Sequence, residues 1–144
     1  KASKGRAFRF MTKTQNKNAN FAQAVKRLNE ANIAYRRDPK NDLYQDALIK
    51  RFEFTFDLGW KSLREFLFSQ GYQPELPSPK GVFAFAYREG ILQDEALWLD
   101  MLESRNLTSH DYGRKTAEVI AEKISNRYAK ALTELSKYIS SALK

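Results

Sequence analysis

Apolar residues recur at steps of three and four along most of the chain, and this helical period limits its possible folds more than any other feature. A first amphipathic helix is predicted over about 18–37, with these apolar positions on one face: Phe21, Ala24, Val25, Leu28, Ala31 and Tyr35. A second helix is predicted over about 42–70. It follows the break at Asp38–Asn41 and ends before Gly71, a residue suited to the C′ position.

Three further helical segments complete the pattern. Pro79 is predicted to begin a short helix that Gly90 ends, and a fourth helix is predicted over about 94–106. A last helix over about 114–143 carries one apolar stripe: Ala117, Ile120, Ala121, Ile124, Tyr128, Ala131, Leu135, Ile139 and Ala142. These segments predict an all-α fold, an antiparallel four-helix up-and-down bundle with a short extra helix in the long connection.

The segment from Phe52 to Trp60 alternates apolar and polar residues, which is strand spacing. Its flanks favour a helix instead, because they extend one helical face: Leu48, Phe52, Phe56, Trp60, Leu63, Phe66 and Leu67. Phe54 and Leu58 then lie on the opposite face, which is typical of a central helix or of one used at a subunit interface. Gly59 lies within the apolar face, where a neighbouring helix is expected to approach closely.

The net charge of +8 is concentrated near the N-terminus. Six cations lie there and no acid precedes Glu30: Lys1, Lys4, Arg6, Arg9, Lys13 and Lys17. Residues 1–17 are predicted to be a basic, disordered segment, and residues 18–144 a single domain. Because Met11 is a plausible start, residues 1–10 are interpreted as a cloning remnant or an alternative upstream start; without their four cations the net charge is +4.

Composition also restricts chemistry and location. The chain has no cysteine and one histidine, which excludes disulfides and thiolate sites and argues against zinc and iron sites. No metal or other cofactor is therefore predicted. No apolar run approaches the roughly 20 residues of a membrane helix, and no secretory signal is visible, so a cytoplasmic protein is the simplest interpretation.

The candidate site is the pattern R-x4-H-x-Y formed by Arg105, His110 and Tyr112, with Asn106 after the arginine. Histidine titrates near neutral pH and arginine clamps phosphates, so the pair suggests phosphodiester or nucleotide chemistry. On an unbroken helix Arg105 and His110 would be about 140° apart, whereas Asn106 and His110 would share a face. A joint site therefore requires the helix to end near Leu107, and three residues suit caps or turns there: Thr108, Ser109 and Asp111.

Each of these residues also has an ordinary structural interpretation. Arg105 continues an apolar helical stripe, so it needs either an internal partner, Glu53 or Asp57, or an external phosphate. His110 would more often be a capping or surface residue than a catalyst, and Tyr112 would more often be packed than act as an acceptor for nucleotidyl transfer. Since RNA cleavage without metal uses an acid and a base, one histidine per chain favours a composite site in a two-fold dimer.

Two stretches, Arg51–Lys61 and Leu99–His110, resemble the nucleotidyltransferase substrate-binding protein family, a branch of the HEPN domains. The resemblance covers about 20–143. It implies an antiparallel helical bundle that forms a homodimer, and a partner, a minimal nucleotidyltransferase from an adjacent gene that supplies the metal-dependent catalytic residues.

Carried over by residue, the resemblance makes Arg105, Asn106 and His110 the functional group, adds Glu53 with a less defined role, and makes Tyr112 an acceptor for AMP. The expected function is a non-catalytic, substrate-binding subunit that holds a nucleotide or RNA phosphate. The alternative is a metal-independent RNase toxin neutralised by its partner. In that case His110 moves protons, Arg105 stabilises the phosphorane charge and Asn106 orients the pair.

Overall fold

The structure, a computed structural model, describes residues 12–75 and 77–144, and these residues contain helices and no strands. The helices are α1 (Lys13–Arg37), α2 (Asp42–Ser69), α3 (Pro79–Arg88), α4 (Glu95–Thr108), α5 (Arg114–Lys123), a π-helical segment (Ile124–Tyr128) and α6 (Ala129–Ala142). The predicted all-α class is confirmed. In this described part, no helix is long and apolar enough to cross a membrane.

Helix α1 packs against both α2 and α6, and side-chain contacts give the direction of each pair. The Asn18 and Asn29 amides of α1 donate to Ser140 and Thr133 of α6, so residue numbers rise along one helix as they fall along the other. Between α1 and α2, Thr55 of α2 donates to the carbonyl of Ala24 of α1, and Lys13 of α1 lies 3.6 Å from Glu65 of α2. Both pairs are antiparallel. The complete four-helix up-and-down arrangement stays a prediction.

The first helix begins at Lys13, five residues before the predicted start. Thr12 and Gln15 form a capping box, in which the Thr12 hydroxyl accepts from the Gln15 N–H and the Gln15 side chain accepts from the Thr12 N–H. Residues 13–17, expected to be disordered, are therefore helical, and Thr14 is buried. Residues 1–11, to which the rest of that prediction applies, lie outside the described residues.

The segment from Phe52 to Trp60 is helical, as its flanks predicted, and lies in the middle of α2. A Cβ atom on Gly59 would come within 2.9 Å of the Phe21 ring, so the expected close approach is made by α1. The two residues assigned to the opposite face differ: Phe54 is 61% exposed, whereas Leu58 is half-buried and packs on the core. The second apolar face is thus narrower than predicted.

The helix predicted over about 114–143 is helical from 114 to 142, but residues 124–128 form a π-helical turn that the apolar spacing did not predict. A π turn adds a residue and shifts the positions that follow. Leu132 is consequently buried, while Ala131, which the stripe had placed inside, is half-buried. The guanidinium of Arg36 donates to the Ser125 carbonyl at 2.6 Å and to its hydroxyl at 3.0 Å, which stabilises the irregular turn from α1.

Candidate functional site

Helix α4 ends at Thr108, two residues beyond the predicted end, and two of the three residues expected to be caps or turns, Thr108 and Ser109, close it. The Thr108 hydroxyl donates to the Arg105 carbonyl and the Ser109 hydroxyl to the Asn106 carbonyl, both at 2.7 Å. The Asn106 carbonyl also accepts from the Ser109 N–H at 3.2 Å. The two hydroxyls therefore add hydrogen bonds to carbonyls at the helix end, where the regular helical donors are missing. His110 follows in an exposed turn, so the helix ends close to where a joint Arg–His site required it to end.

Arg105 lies against α2 and is paired with two carboxylates. Its Nε donates to Asp57 Oδ1 at 3.1 Å and its Nη2 to Asp57 Oδ2 at 3.0 Å, while Nη1 is 3.5 Å from Glu53 Oε2. The hydrogen bonds to Asp57, opposed by partial burial and assisted by both negative charges, raise the pKa of Arg105. The sequence allowed either an internal carboxylate or an external phosphate as the partner of Arg105. In the structure its partners are the carboxylates of Asp57 and Glu53.

Asn106 and His110 face away from Arg105 and line an open cleft of about 720 Å³, which we call the α4 cleft. Lys80 of α3 lines it as well, together with Asp100 and Glu103 of α4. The predicted common face of Asn106 and His110 is confirmed. The end of the helix does not bring Arg105 into this cleft.

Arg105 instead lines a separate cleft of about 470 Å³ with residues of α1 and α2. We call it the Phe54 cleft, after the exposed aromatic side chain in its wall. Because α4 continues to Thr108, Arg105 is still inside the helix and points to a different side than the residues that follow it. The R-x4-H pattern is therefore divided between two clefts.

Tyr112 lies in a third cleft, of about 390 Å³, beside Asp42, Asp46 and Asp111. It is 37% exposed. Partial burial, followed by the negative charges of Glu53 and Asp46, raises the pKa of Tyr112 above its ordinary value. The surroundings thus keep the phenol protonated and disfavour the nucleophilic phenolate.

Asp100 in the wall of the α4 cleft was not among the predicted site residues. Its carboxylate accepts from the hydroxyl of buried Tyr128 at 2.5 Å, from Arg127 at 2.9 Å and from Lys123 at 3.4 Å. Burial opposes ionisation, but the Tyr128 hydrogen bond and the two cations outweigh it and lower the pKa of Asp100. The π turn brings Tyr128 and Arg127 to this carboxylate.

A spacing signal for the α4 cleft is present in the sequence. Asp100, Glu103 and Asn106 follow one another at steps of three, and His110 follows at a step of four, so all four share one helical face. Lys80 carries no such signal, because it reaches the cleft only through the packing of α3 on α4. Within residues 12–75 and 77–144, no group of three or more histidine, aspartate or glutamate residues is placed to hold a metal ion.

The fold defines an all-helical domain with clefts on more than one side of α4, and comparison with known proteins identifies its family. The family described as "nucleotidyltransferase substrate binding protein like" matches residues 16–141, so the chain belongs to that family. The crystal structure of ttk003001694 from Thermus thermophilus is similar, with 30% identity and a TM-score of 0.68 over 86% of this chain and 98% of that one. No curated protein matches the chain significantly.

Proposed function

We propose that this protein is the substrate-binding subunit of a two-component nucleotidyltransferase, and that the α4 cleft holds a nucleotide or RNA phosphate for a separate catalytic subunit in the cytoplasm. One observation carries the proposal: Asn106 and His110, which match the family motif, line one open cleft together with Lys80. An ammonium, an imidazole and an amide provide the donors that phosphate oxygens accept.

The charges around the α4 cleft give the bound molecule a direction. Asp100 and Glu103 line the same cleft and would repel a phosphate. We therefore expect the phosphate to lie towards Lys80 and His110, and the sugar or base, which offers donors to carboxylates, towards Glu103. The carboxylate of Asp100 already accepts three hydrogen bonds, so we expect it to shape the cleft without binding the ligand directly.

Arg105 has a different role in this proposal from the phosphate clamp that the sequence analysis expected from the chemistry of arginine. Its guanidinium is already bonded to Asp57 and lies close to Glu53. A phosphate would have to displace these carboxylates or approach against their charge. We assign Arg105 the role of a positioning residue that holds α4, and with it Asn106 and His110, against α2. Glu53 is part of the same support.

The catalytic subunit is expected to be a minimal nucleotidyltransferase from an adjacent gene that supplies the carboxylates for a two-metal transfer. We also expect the substrate-binding subunit to form a homodimer. Phe54 supports this expectation, because a large exposed aromatic side chain suits a surface that becomes covered.

Nucleotide binding by the co-purified complex of the two subunits tests the main proposal. ATP affinity, measured by calorimetry, should fall about tenfold or more in Asn106→Ala and in His110→Ala, since each removes a partner of the ligand. Asn20→Ala, an exposed position on α1, is the matched control and should bind as the wild type does. Equal affinities for all four proteins would contradict the proposal.

The second candidate is a metal-independent RNase neutralised by its partner, and the exposure of His110 at an open cleft favours it. It predicts growth arrest when the chain is expressed alone, and RNA cleavage that persists in EDTA. His110→Ala should remove both effects, because the chain has no other histidine. Harmless expression of the wild-type chain would leave the substrate-binding function as the better proposal.

A further inference from the structure

Tyr128 is the largest completely buried side chain among the described residues, and its hydroxyl lies against α4. The hydroxyl donates to Asp100 Oδ2 at 2.5 Å. An ionised carboxylate only accepts, so in the 2.8 Å bond between the hydroxyls of Tyr128 and Ser104 the donor is Ser104. Because Asp100 and Ser104 are four residues apart, one phenol contacts two successive turns of α4.

The π turn gives Tyr128 its direction. On a regular α-helix Tyr128 would point about 140° away from Lys123, at 100° per residue. In the structure the Ala129 N–H donates to the Ile124 carbonyl, five residues earlier, and this wider turn rotates the residues at its end. In this geometry Lys123 and Tyr128 both reach the carboxylate of Asp100.

These donors determine where the negative charge of Asp100 lies. Asp100 lines the α4 cleft, but only 27% of its side chain is exposed. Lys123 and Arg127 reach it from partly exposed positions, whereas the Tyr128 hydroxyl reaches it from the core. Without that hydroxyl, a carboxylate oxygen would need another partner. The α4 cleft is the open side on which water offers one.

The phenol is suited to this constant role. Its ring is stacked on that of Phe52, with 5.3 Å between the ring centres, and both side chains are fully buried, so the hydroxyl has little freedom to move. Burial, and next the hydrogen bond to the Asp100 carboxylate, raise the pKa of Tyr128 well above its ordinary value. Tyr128 therefore remains a donor wherever Asp100 is ionised.

We propose that Tyr128 is a positioning residue of the α4 cleft, whose hydroxyl keeps the Asp100 carboxylate turned away from the space that an anionic ligand enters. Without it, Asp100 and Glu103 would both present negative charge to a phosphate. Tyr128 acts through Asp100 and does not touch the ligand. The inference rests on the proposed function, because it concerns how the same cleft admits a phosphate.

Carbodiimide labelling of carboxylates on the full chain, followed by peptide mass, tests the position of Asp100 without any ligand. Tyr128→Phe keeps the ring and should raise the labelling of Asp100 several-fold. Ser104→Ala is the matched control, since it removes a buried bond from the same hydroxyl but leaves the bond to Asp100. Unchanged labelling in Tyr128→Phe, or an equal rise in Ser104→Ala, would overturn the proposal. So would a parallel rise at Glu65 of α2, whose side chain is 12% exposed, because it would indicate general loosening.

Ligand charge provides the second test, on the co-purified complex of the two subunits. ATP affinity should fall about fivefold in Tyr128→Phe, the effect of one added charge at about 4 Å in water. Adenosine affinity should not change, because adenosine carries no phosphate. Adding Asp100→Asn to Tyr128→Phe should restore ATP binding, since the amide has no charge. Equal losses for ATP and adenosine, or no recovery in the double variant, would show a structural role only and contradict the proposal.

The same calorimetry separates this inference from the proposed function. If Asn106→Ala and His110→Ala weaken ATP binding but Tyr128→Phe does not, the cleft binds the nucleotide and the role assigned to Tyr128 is wrong. If none of these three variants weakens ATP binding, the proposed function is wrong, and the inference that rests on it is rejected as well.

Discussion

The guanidinium of Arg105 donates two hydrogen bonds to the carboxylate of Asp57, from Nε at 3.1 Å and from Nη2 at 3.0 Å. These two residues are 48 positions apart and join α4 to α2. Only 23% of the Arg105 side chain is exposed, so the pair is screened by water less than a surface ion pair. The cleft residues that follow Arg105 on α4 are thereby fixed relative to the core helix.

Arg105→Ala should lower the free energy of unfolding by about 1–2 kcal/mol, between the values for exposed and for buried pairs. It leaves the Asp57 carboxylate without its cation, close to a Glu53 carboxylate that keeps only the exposed Lys50. Urea unfolding followed by circular dichroism measures the change. Lys50→Ala, which removes an exposed partner of Glu53, should cost less than about 0.5 kcal/mol. If both substitutions cost the same, Arg105 does not hold α4 in place.

Asp100→Asn should reduce stability at neutral pH by an amount that disappears in acid. The folded pKa of Asp100 is lowered, because the Tyr128 hydrogen bond and the Lys123 and Arg127 charges outweigh burial. Its contribution is therefore present above the ordinary carboxyl pKa of about 4 and is lost as the pH falls through the lower folded pKa. Urea unfolding of the wild type and of Asp100→Asn between about pH 7 and 3 measures the difference in their free energies of unfolding. A difference that does not change with pH would contradict a stabilising role of the ionised Asp100 carboxylate.

Gly59→Ala should destabilise the protein by about 1–2 kcal/mol, although alanine is the better helix former. The added Cβ would lie 2.9 Å from one ring atom of Phe21, 3.1 Å from another and 3.4 Å from Leu132. Phe21 is fully buried, so its ring has little room to move. Thermal unfolding is the measurement, with Gly113→Ala as control, since a Cβ there meets nothing within 4 Å. A stabilised Gly59→Ala would show that helix propensity outweighs the close packing.

Tyr112 is expected to gain one AMP unit when the chain is incubated with its transferase, ATP and magnesium, and intact mass should record the increase. Tyr112→Phe should prevent it. Because partial burial and the charges of Glu53 and Asp46 raise the pKa of Tyr112, the transferase must supply the base that removes the proton. Asp46→Asn should accelerate the modification by removing one of these charges. Modification that persists in Tyr112→Phe would assign the acceptor to another residue.

The sequence alone determined the helices, because the three-and-four spacing of apolar residues is local information. The ends at Gly71 and Gly90 were predictable for a similar reason: both have positive φ, 88° and 77°, which glycine adopts without strain. The family was identified from two stretches of α2 and α4 and is confirmed over residues 16–141. The common face of Asn106 and His110 followed from their spacing.

Tertiary structure decided what each site residue contacts. Sequence offered Arg105 either a carboxylate or a phosphate, and only the packing of α4 on α2 brought Asp57 within hydrogen-bonding distance. The π turn was likewise not predicted, and the hydrogen bond from Arg36 of α1 to its Ser125 carbonyl is a contact between helices that apolar spacing does not reveal. The spacing of residues along the chain fixes the direction in which each side chain points around its own helix. Distances between side chains of different helices depend on how those helices pack, which no local pattern contains.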